Sequence, residues 1–200
     1  MVFRHLMTGI EVADCEFDNT LYPKLINNLS ATHFTPIDIA IKAAQYLVDV
    51  PGVKVLDIGS GAGKFCMIGA ARTEGHFTGI EQRLGLHQLA KQISKKCSLT
   101  NIEFIHANIT AVDFSQYQAF YFYNSFFENI APIDKIDNTI VLKRELYQTY
   151  TTYVKCQLKS MPIGTRLVTY FSSYDEVPES YKMVSRIKLE KLTLWEKKHD

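Results

Sequence analysis

The sequence predicts an α/β fold on a mostly parallel sheet, and three observations carry the prediction. Val53 to Ile58 is a short apolar run with β-branched members, bounded by Pro51-Gly52 in front and by Gly59, Gly61 and Gly63 behind, as expected of a buried central strand that runs into a tight turn. Similar runs recur at His76–Glu81, Ile102–Ala107, Ala119–Asn124 and Thr165–Tyr170, separated at first by segments of helical period. Finally, 200 residues with 46% hydrophobic content suffice for one sizeable core and are too few for two domains with linkers. The expectation is a single domain over residues 1–200, with an N-terminal extension at 1–34 and the α/β core at 35–200.

Residues 1–30 are mixed and weakly periodic, with a helix expected near Tyr22–Leu29 that Pro23 could start. Thr35-Pro36-Ile37-Asp38 predicts a helix start: Thr35 as the cap, Pro36 at the first helical position and Asp38 completing a capping box. The helix that follows puts Ile37, Ala40, Ile41, Ala44, Leu47 and Val48 on one face. His33, Phe34 and Thr35 would then sit near the mouth of the glycine turn. Lys64 to Arg72 reads as the helix after that turn, and Leu86, Leu89, Ala90 and Ile93 mark a further amphipathic helix whose lysines form a solvated face. Tyr121 and Phe122 read as core. Glu128 to Asn138 is a polar loop long enough to cover a site, and a helix is expected over Ile140–Lys159 with Leu142, Leu146, Tyr150, Tyr153 and Leu158 buried. Met161-Pro162-Ile163-Gly164 turns the chain into the fifth strand, and two more strands are expected near Tyr181–Ile187 and Lys191–Lys197. Phe171 to Ser180 is too short and too rich in turn residues for a helix.

The glycines carry the chemistry. Lacking Cβ atoms, they let the main chain turn sharply and let a ligand lie against it while the next helix points its N–H groups outward. A dinucleotide fingerprint is G-x-G-x-x-G; here the spacing is Gly59-x-Gly61-x-Gly63, and no G-K-[S/T] follows, which excludes a P-loop. Glu81 ends the second strand where a carboxylate could accept from both hydroxyls of a ribose. The fourth strand ends where an open α/β sheet reverses strand order, so Asn124, Phe126 and Glu128 just beyond it are candidates for a ligand crevice.

Composition narrows the function. A net charge of +1 argues against a broad nucleic-acid or membrane footprint, and no apolar run reaches the length of a membrane span. Cys15, Cys66, Cys97 and Cys156 are widely spaced with no C-x-x-C pair and no signal peptide, which suggests reduced thiols in a cytoplasm. The histidines are scattered, and no metal site is expected.

Asp57, two residues ahead of Gly59-x-Gly61-x-Gly63, together with Glu81 ending the next strand, resembles the first two motifs of class I S-adenosylmethionine-dependent methyltransferases. The resemblance covers about Thr35 to the C-terminus. It implies a three-layer, Rossmann-like α/β sheet, mostly parallel, closed by an antiparallel C-terminal pair. For the site it implies that Gly59, Ser60, Gly61 and Gly63 lie against the amino-acid part of the cofactor and that Asp57 reaches its amino group. It further implies that Glu81 holds the ribose, with Gln82 beside the adenine. In that family an acid often follows the third strand and accepts from the adenine amino group; here Asn108 stands there, followed by Ile109, and its amide oxygen can accept the same bond. Asn124, Phe126 and Glu128 would form the acceptor side, with Glu128 orienting the nucleophile. The T-P helix start, the Asn-x-Phe segment and the Gly-Thr-Arg-Leu-Val-Thr strand look like the small seven-strand lysine methyltransferases and, more distantly, the non-SET histone-lysine methyltransferase core.

The implied reaction is in-line attack of a nucleophile on the sulfonium methyl, leaving S-adenosylhomocysteine. The acceptor would be a protein lysine or a small molecule. Three other readings stay open. Asn124-Ser125-Phe126-Phe127 is similar to the Asn-Pro-Pro-aromatic motif of nucleic-acid amino-methyltransferases, without its prolines; a nicotinamide oxidoreductase is disfavoured by the glycine spacing; and a module could hold the cofactor without chemistry.

Overall fold

The computed structural model describes residues 2–187, 189 and 191–200. Three short helices, α1 (Val2–Met7), α2 (Asp14–Leu21) and α3 (Lys24–His33), precede α4 (Ile37–Leu47). Then follow β1 (Lys54–Ile58), α5 (Lys64–Arg72), β2 (His76–Glu81), α6 (Leu84–Lys96), β3 (Ile102–His106) and β4 (Ala119–Tyr123). The chain closes with α7 (Arg144–Lys159), β5 (Arg166–Tyr170), β6 (Tyr181–Ile187) and β7 (Leu192–Lys197). The strands form one sheet in the order β3-β2-β1-β4-β5-β7-β6, parallel except that β7 runs antiparallel to both neighbours. This is the expected mostly parallel, Rossmann-like sheet with an antiparallel C-terminal pair.

Strand alternation separates two layers. Val55, Phe77, Tyr121 and Val168 face α4, α5 and α6 on one side; Leu56, Ile80, Phe120, Phe122 and Leu167 face α7 on the other. Ile58 lies between Ile80 and Phe122 in register, so β1 is the strand at which the order reverses. After β1 the chain moves to β2 and β3, then returns to the other side as β4, and the connections diverge there to open a crevice.

Three expectations are corrected. The capping box at Thr35 does not form: Thr35 Oγ1 lies 2.8 Å from the Tyr121 hydroxyl instead, and Asp38 pairs with Lys42 at 3.6 Å. The start of α4 is satisfied from a distance, because Ile37 N–H donates to Asp14 Oδ1 of α2 at 3.1 Å. The stripe on α4 is wider than expected; Ile39 and Ala43 are buried too, since the helix packs on α5 as well as on the sheet. The long helix begins at Arg144, not Ile140, and Lys143 N–H is drawn to Asn129 Oδ1 at 3.2 Å, which leaves Leu142 outside it.

The N-terminal extension is folded into the core. Phe17, Phe3, Val12 and Leu6 are buried in the same cluster as α4 and α5, and Arg72 Nη1 donates to the Leu6 carbonyl at 2.8 Å. As expected, 171–180 holds no helix. That side of the sheet is covered by Val177 and by Tyr174, which meets Trp195 edge-on at 5.0 Å, while the indole N–H donates to Thr169 Oγ1 at 2.9 Å.

Candidate active site at the end of β1, β2 and β4

The turn after β1 is left-handed at each glycine, with φ of 79° at Gly59, 55° at Gly61 and 80° at Gly63. Two of them have separate reasons to lack a side chain. A Cβ on Gly63 would fall 2.4 Å from Phe104 Cζ, so this glycine lets α5 settle onto β3. A Cβ on Gly61 would meet the Phe34 ring at 3.2 Å, where Phe34 leans over the turn. Gly59 backs onto Ser125, whose hydroxyl donates to the Ile58 carbonyl.

Beside this turn the carboxylate of Glu81, 5% exposed, is fixed by two backbone donors: Gly61 N–H to Oε2 at 2.9 Å and Arg83 N–H to Oε1 at 2.7 Å. Burial pushes its pKa up, against the lowering effect of the Arg83 and Gly61 hydrogen bonds and the Arg83 charge. Each oxygen keeps a further acceptor position. Arg83 itself was not singled out from the sequence. Its guanidinium, 5% exposed, donates to Glu128 Oε2 at 2.7 Å and to Asp137 Oδ1 at 3.1 Å.

A cavity of about 470 Å³ opens over these groups, within the size range of small-molecule sites. Gly59, Gly61, Glu81, Gln82, Asn108, Ile109, Asn124, Phe126 and Glu128 all contribute to its wall. Asp57, Ser60 and Gly63 do not. Asp57 is 3% exposed beneath the turn and accepts from the Cys66 thiol at 3.3 Å; burial, eased by that thiol and reinforced by the Glu81 charge, pushes its pKa up to about 7. Ser60 is packed toward Gly79 of β2.

The wall divides into two regions. Asn108 donates its amide to the Tyr150 hydroxyl at 2.8 Å and to Gln82 Oε1 at 3.3 Å. Its amide oxygen, expected to face adenine, accepts from Thr110 N–H and Oγ1 at 3.1 and 2.9 Å instead. Phe126 lies between Phe122 and Tyr150, with ring centres at 5.2 and 5.3 Å, so it belongs with Asn108 and Ile109 more than with the far end. At the far end stand Tyr123, Tyr170 and Phe171, with Thr32, His33 and Phe34 from the end of α3 and just beyond it. Tyr123 and Tyr170 are 4.6 Å apart and Tyr170 meets Phe171 edge-on at 4.7 Å. Asn124 and Phe171 follow adjacent strands and both take left-handed backbone, φ 42° and 51°. Such conformations in residues other than glycine are costly and collect at functional sites. Glu128 also accepts from Ile136 N–H at 3.0 Å, so its carboxylate is committed to Arg83 and to its own loop.

His33 and Phe34, expected near the turn, both line the cavity; Thr35, expected there too, does not. Tyr150, Tyr170 and Phe171 carried no motif. Among the described residues, no group of three or more His, Cys, Asp or Glu could hold a metal ion, and no helix is long and apolar enough to cross a membrane.

The chain superimposes on a mutant of MtNAS in complex with S-adenosylmethionine with a TM-score of 0.59, 11% identity, and coverage of 97% of this chain and 72% of that one. An RNA methyltransferase from Salinibacter ruber in complex with S-adenosylhomocysteine gives a TM-score of 0.54 at 19% identity, covering 83% of this chain and 94% of that one. The [4+2]-cyclase SpnF gives 0.55 at 15% identity over 79% of this chain, and this chain spans only 60% of the cyclase's length. At these identities the likeness is one of fold. No curated protein sequence matches the chain. The family model described as a methyltransferase domain matches residues 49–191, from just ahead of β1 to the turn before β7. The chain therefore belongs to the methyltransferase domain family, in its class I, Rossmann-like form.

Proposed function

We propose that this protein binds S-adenosylmethionine in the cavity over β1, β2 and β4 and transfers its methyl group to a nucleophile admitted beside Asn124. The observation that carries the reading is the Glu81 carboxylate, buried at the cavity wall and oriented by two backbone N–H groups. A charged acceptor so placed fits a ribose, and its two bound donors keep it aligned without using all its acceptor positions. Gly59 and Gly61 offer bare main chain beside it. Gln82, Asn108, Ile109, Phe126 and Tyr150 form the region suited to adenine, where the apolar walls exclude water and Gln82 and the Asn108 amide are the polar groups.

When bound, the cofactor supplies a methyl group already activated by a sulfonium. The residues of this chain then need to align the acceptor and remove water, which can lower a barrier by roughly 7–11 kcal/mol. Asn124 offers both a donor and an acceptor for the nucleophile, and Tyr123, Tyr170 and Phe171 form an aromatic wall around it. Glu128 is tied to Arg83 and Ile136 N–H and is not proposed as a base. A protein lysine that arrives uncharged, or a small-molecule amine, suits this wall. A nucleic-acid base and a binding module without chemistry are the competing readings.

Incubation with methyl-labelled cofactor and fractionated cell extract tests the proposal. Label in protein supports the lysine reading, and label in small molecules or nucleic acid redirects the acceptor. Tight cofactor binding with no label in any fraction would refute methyl transfer.

A further inference from the structure

We propose that Arg83 is a positioning residue that ties the Glu81 side of the cavity to the segment 127–143, so that the placement of this segment over the cavity depends on it. The inference rests on the reading of the cavity as a cofactor site.

Apart from the Lys143 N–H bond to the buried Asn129 side chain at 3.2 Å and the packing of Ile136 against the core, the segment has little else to hold it. Between β4 and α7 the chain forms only two short 3-10 turns, Phe127–Asn129 and Pro132–Asp134. Ile133 is 91% exposed and Val141 67%, so apolar burial in the segment beyond Phe127–Asn129 rests mainly on Ile136. Yet Phe127, Glu128, Ala131 and Ile136 all reach the cavity wall. What fastens them is polar. Arg83 Nη2 donates to Glu128 Oε2, which also accepts from Ile136 N–H, and Arg83 Nε donates to Asp137 Oδ1, which also accepts from Thr139 N–H and Oγ1 at 2.9 and 2.8 Å. One guanidinium therefore fixes the segment at two points nine residues apart in sequence.

The same residue is joined to the opposite side through its main chain. Arg83 N–H holds Glu81 Oε1, and Arg83 sits immediately before the first residue of α6. A planar, permanently charged fork suits this double role, and a point charge does not. Arg83 and Glu128 are both largely buried, with side-chain exposures of 5% and 14%, so their ion pair is poorly screened by solvent; the Asp137 arm, at 36%, is weaker. Arg83 forms no bond to reacting atoms in this account. It acts through Glu128 and Asp137.

Amide hydrogen exchange on the full chain reads the tie directly. Arg83→Met keeps the N–H that holds Glu81 and removes the fork. Without cofactor, amides within 127–143 should exchange about tenfold faster than in the parent, while those of β1 and β4 stay as they are. With saturating S-adenosylmethionine the parent should gain protection in that segment, and the variant should bind the cofactor without gaining it. In turnover, the affinity for cofactor should hold while the acceptor KM rises and kcat falls. Arg83→Lys should fall between, because one ammonium can serve only one of the two carboxylates well. Glu128→Gln and Asp137→Asn cut the tie from the loop side, leave the Glu81 bonds intact, and keep the test available if Arg83→Met does not fold. Each should loosen the same segment and add little in the Arg83→Met background.

Unchanged exchange in these variants, or acceleration spread evenly over the whole chain, overturns the proposal. The comparison without ligand stands apart from the cofactor reading: failure of the parent to bind S-adenosylmethionine would sink that reading, whereas only the exchange within 127–143 decides the tie.

Discussion

Replacing Glu81 with Gln isolates the group on which the cofactor reading depends. The volume stays the same, but one acceptor oxygen becomes an NH2. Gly61 N–H and Arg83 N–H, now one on each oxygen, cannot both be satisfied by a single amide oxygen. One buried donor is left facing another, which costs roughly 1–3 kcal/mol of stability. In a chain of this size that lowers Tm by about 2–4 °C for each kcal/mol lost. Cofactor binding suffers separately, because the ribose hydroxyls lose a charged acceptor worth roughly 1.5–3 kcal/mol, or about tenfold or more in affinity. Thermal unfolding without ligand measures the first effect. Calorimetric titration with S-adenosylmethionine measures the second, and added cofactor should raise Tm less in the variant than in the parent. A folded Glu81→Gln protein with parental affinity would refute the reasoning, because the oriented carboxylate would then be only a strut for the glycine turn.

Three other substitutions probe different parts of the account. Asn124→Gly keeps the left-handed backbone at φ 42° without strain and deletes only the amide; cofactor affinity should hold while single-turnover transfer falls on the order of a hundredfold, and unchanged transfer would move the acceptor elsewhere. Lys64→Met removes the cation, 3% exposed, that lies 2.7 Å from Asp14 and 2.9 Å from Asp18 and so binds α2 to α5. Asp18 stays buried and loses its partner, so a loss of about 2 kcal/mol or more is expected, read as a Tm several degrees lower; an unchanged Tm would mean the ion pair contributes nothing. Asp57, with its pKa raised from 3.8 to about 7, binds its proton more tightly in the folded state. Its contribution to stability is full below the unfolded pKa and is lost as pH rises through about 7. Denaturant midpoints should therefore fall more for the parent than for Asp57→Asn between about pH 5 and about pH 8, and parallel profiles would contradict the assignment.

The sheet was legible because its signals are local. Strand β2 and helix α5 have the bounds that the apolar runs and the glycines predict. The missing helix at 171–180 was legible from its turn residues. Glu81 could be found because it sits at a strand end, at a fixed distance from the turn. Interactions between distant segments left no such trace. Nothing near Thr35 shows that Asp14, in another helix, will satisfy the start of α4. Arg83 looks like any charge at the head of an amphipathic helix until Glu128 and Asp137 fold back onto it. Residues 1–30 are weakly periodic because short helices that pack on one another and on α5 do not need a single clean stripe. Asn108 lines the cavity, yet its oxygen is spent on Thr110, a local turn bond that competes with any ligand.

The central claim is that the glycine turn and Glu81 make a site for S-adenosylmethionine and not for a dinucleotide. Calorimetric titration of the purified chain with S-adenosylmethionine, S-adenosylhomocysteine and NAD tests it most directly. The account predicts one-to-one binding of the first two, both weakened about tenfold or more in Glu81→Gln, and no heat from NAD. Binding of NAD as tight as that of S-adenosylmethionine, or no binding of either sulfur cofactor by a folded chain, would contradict it.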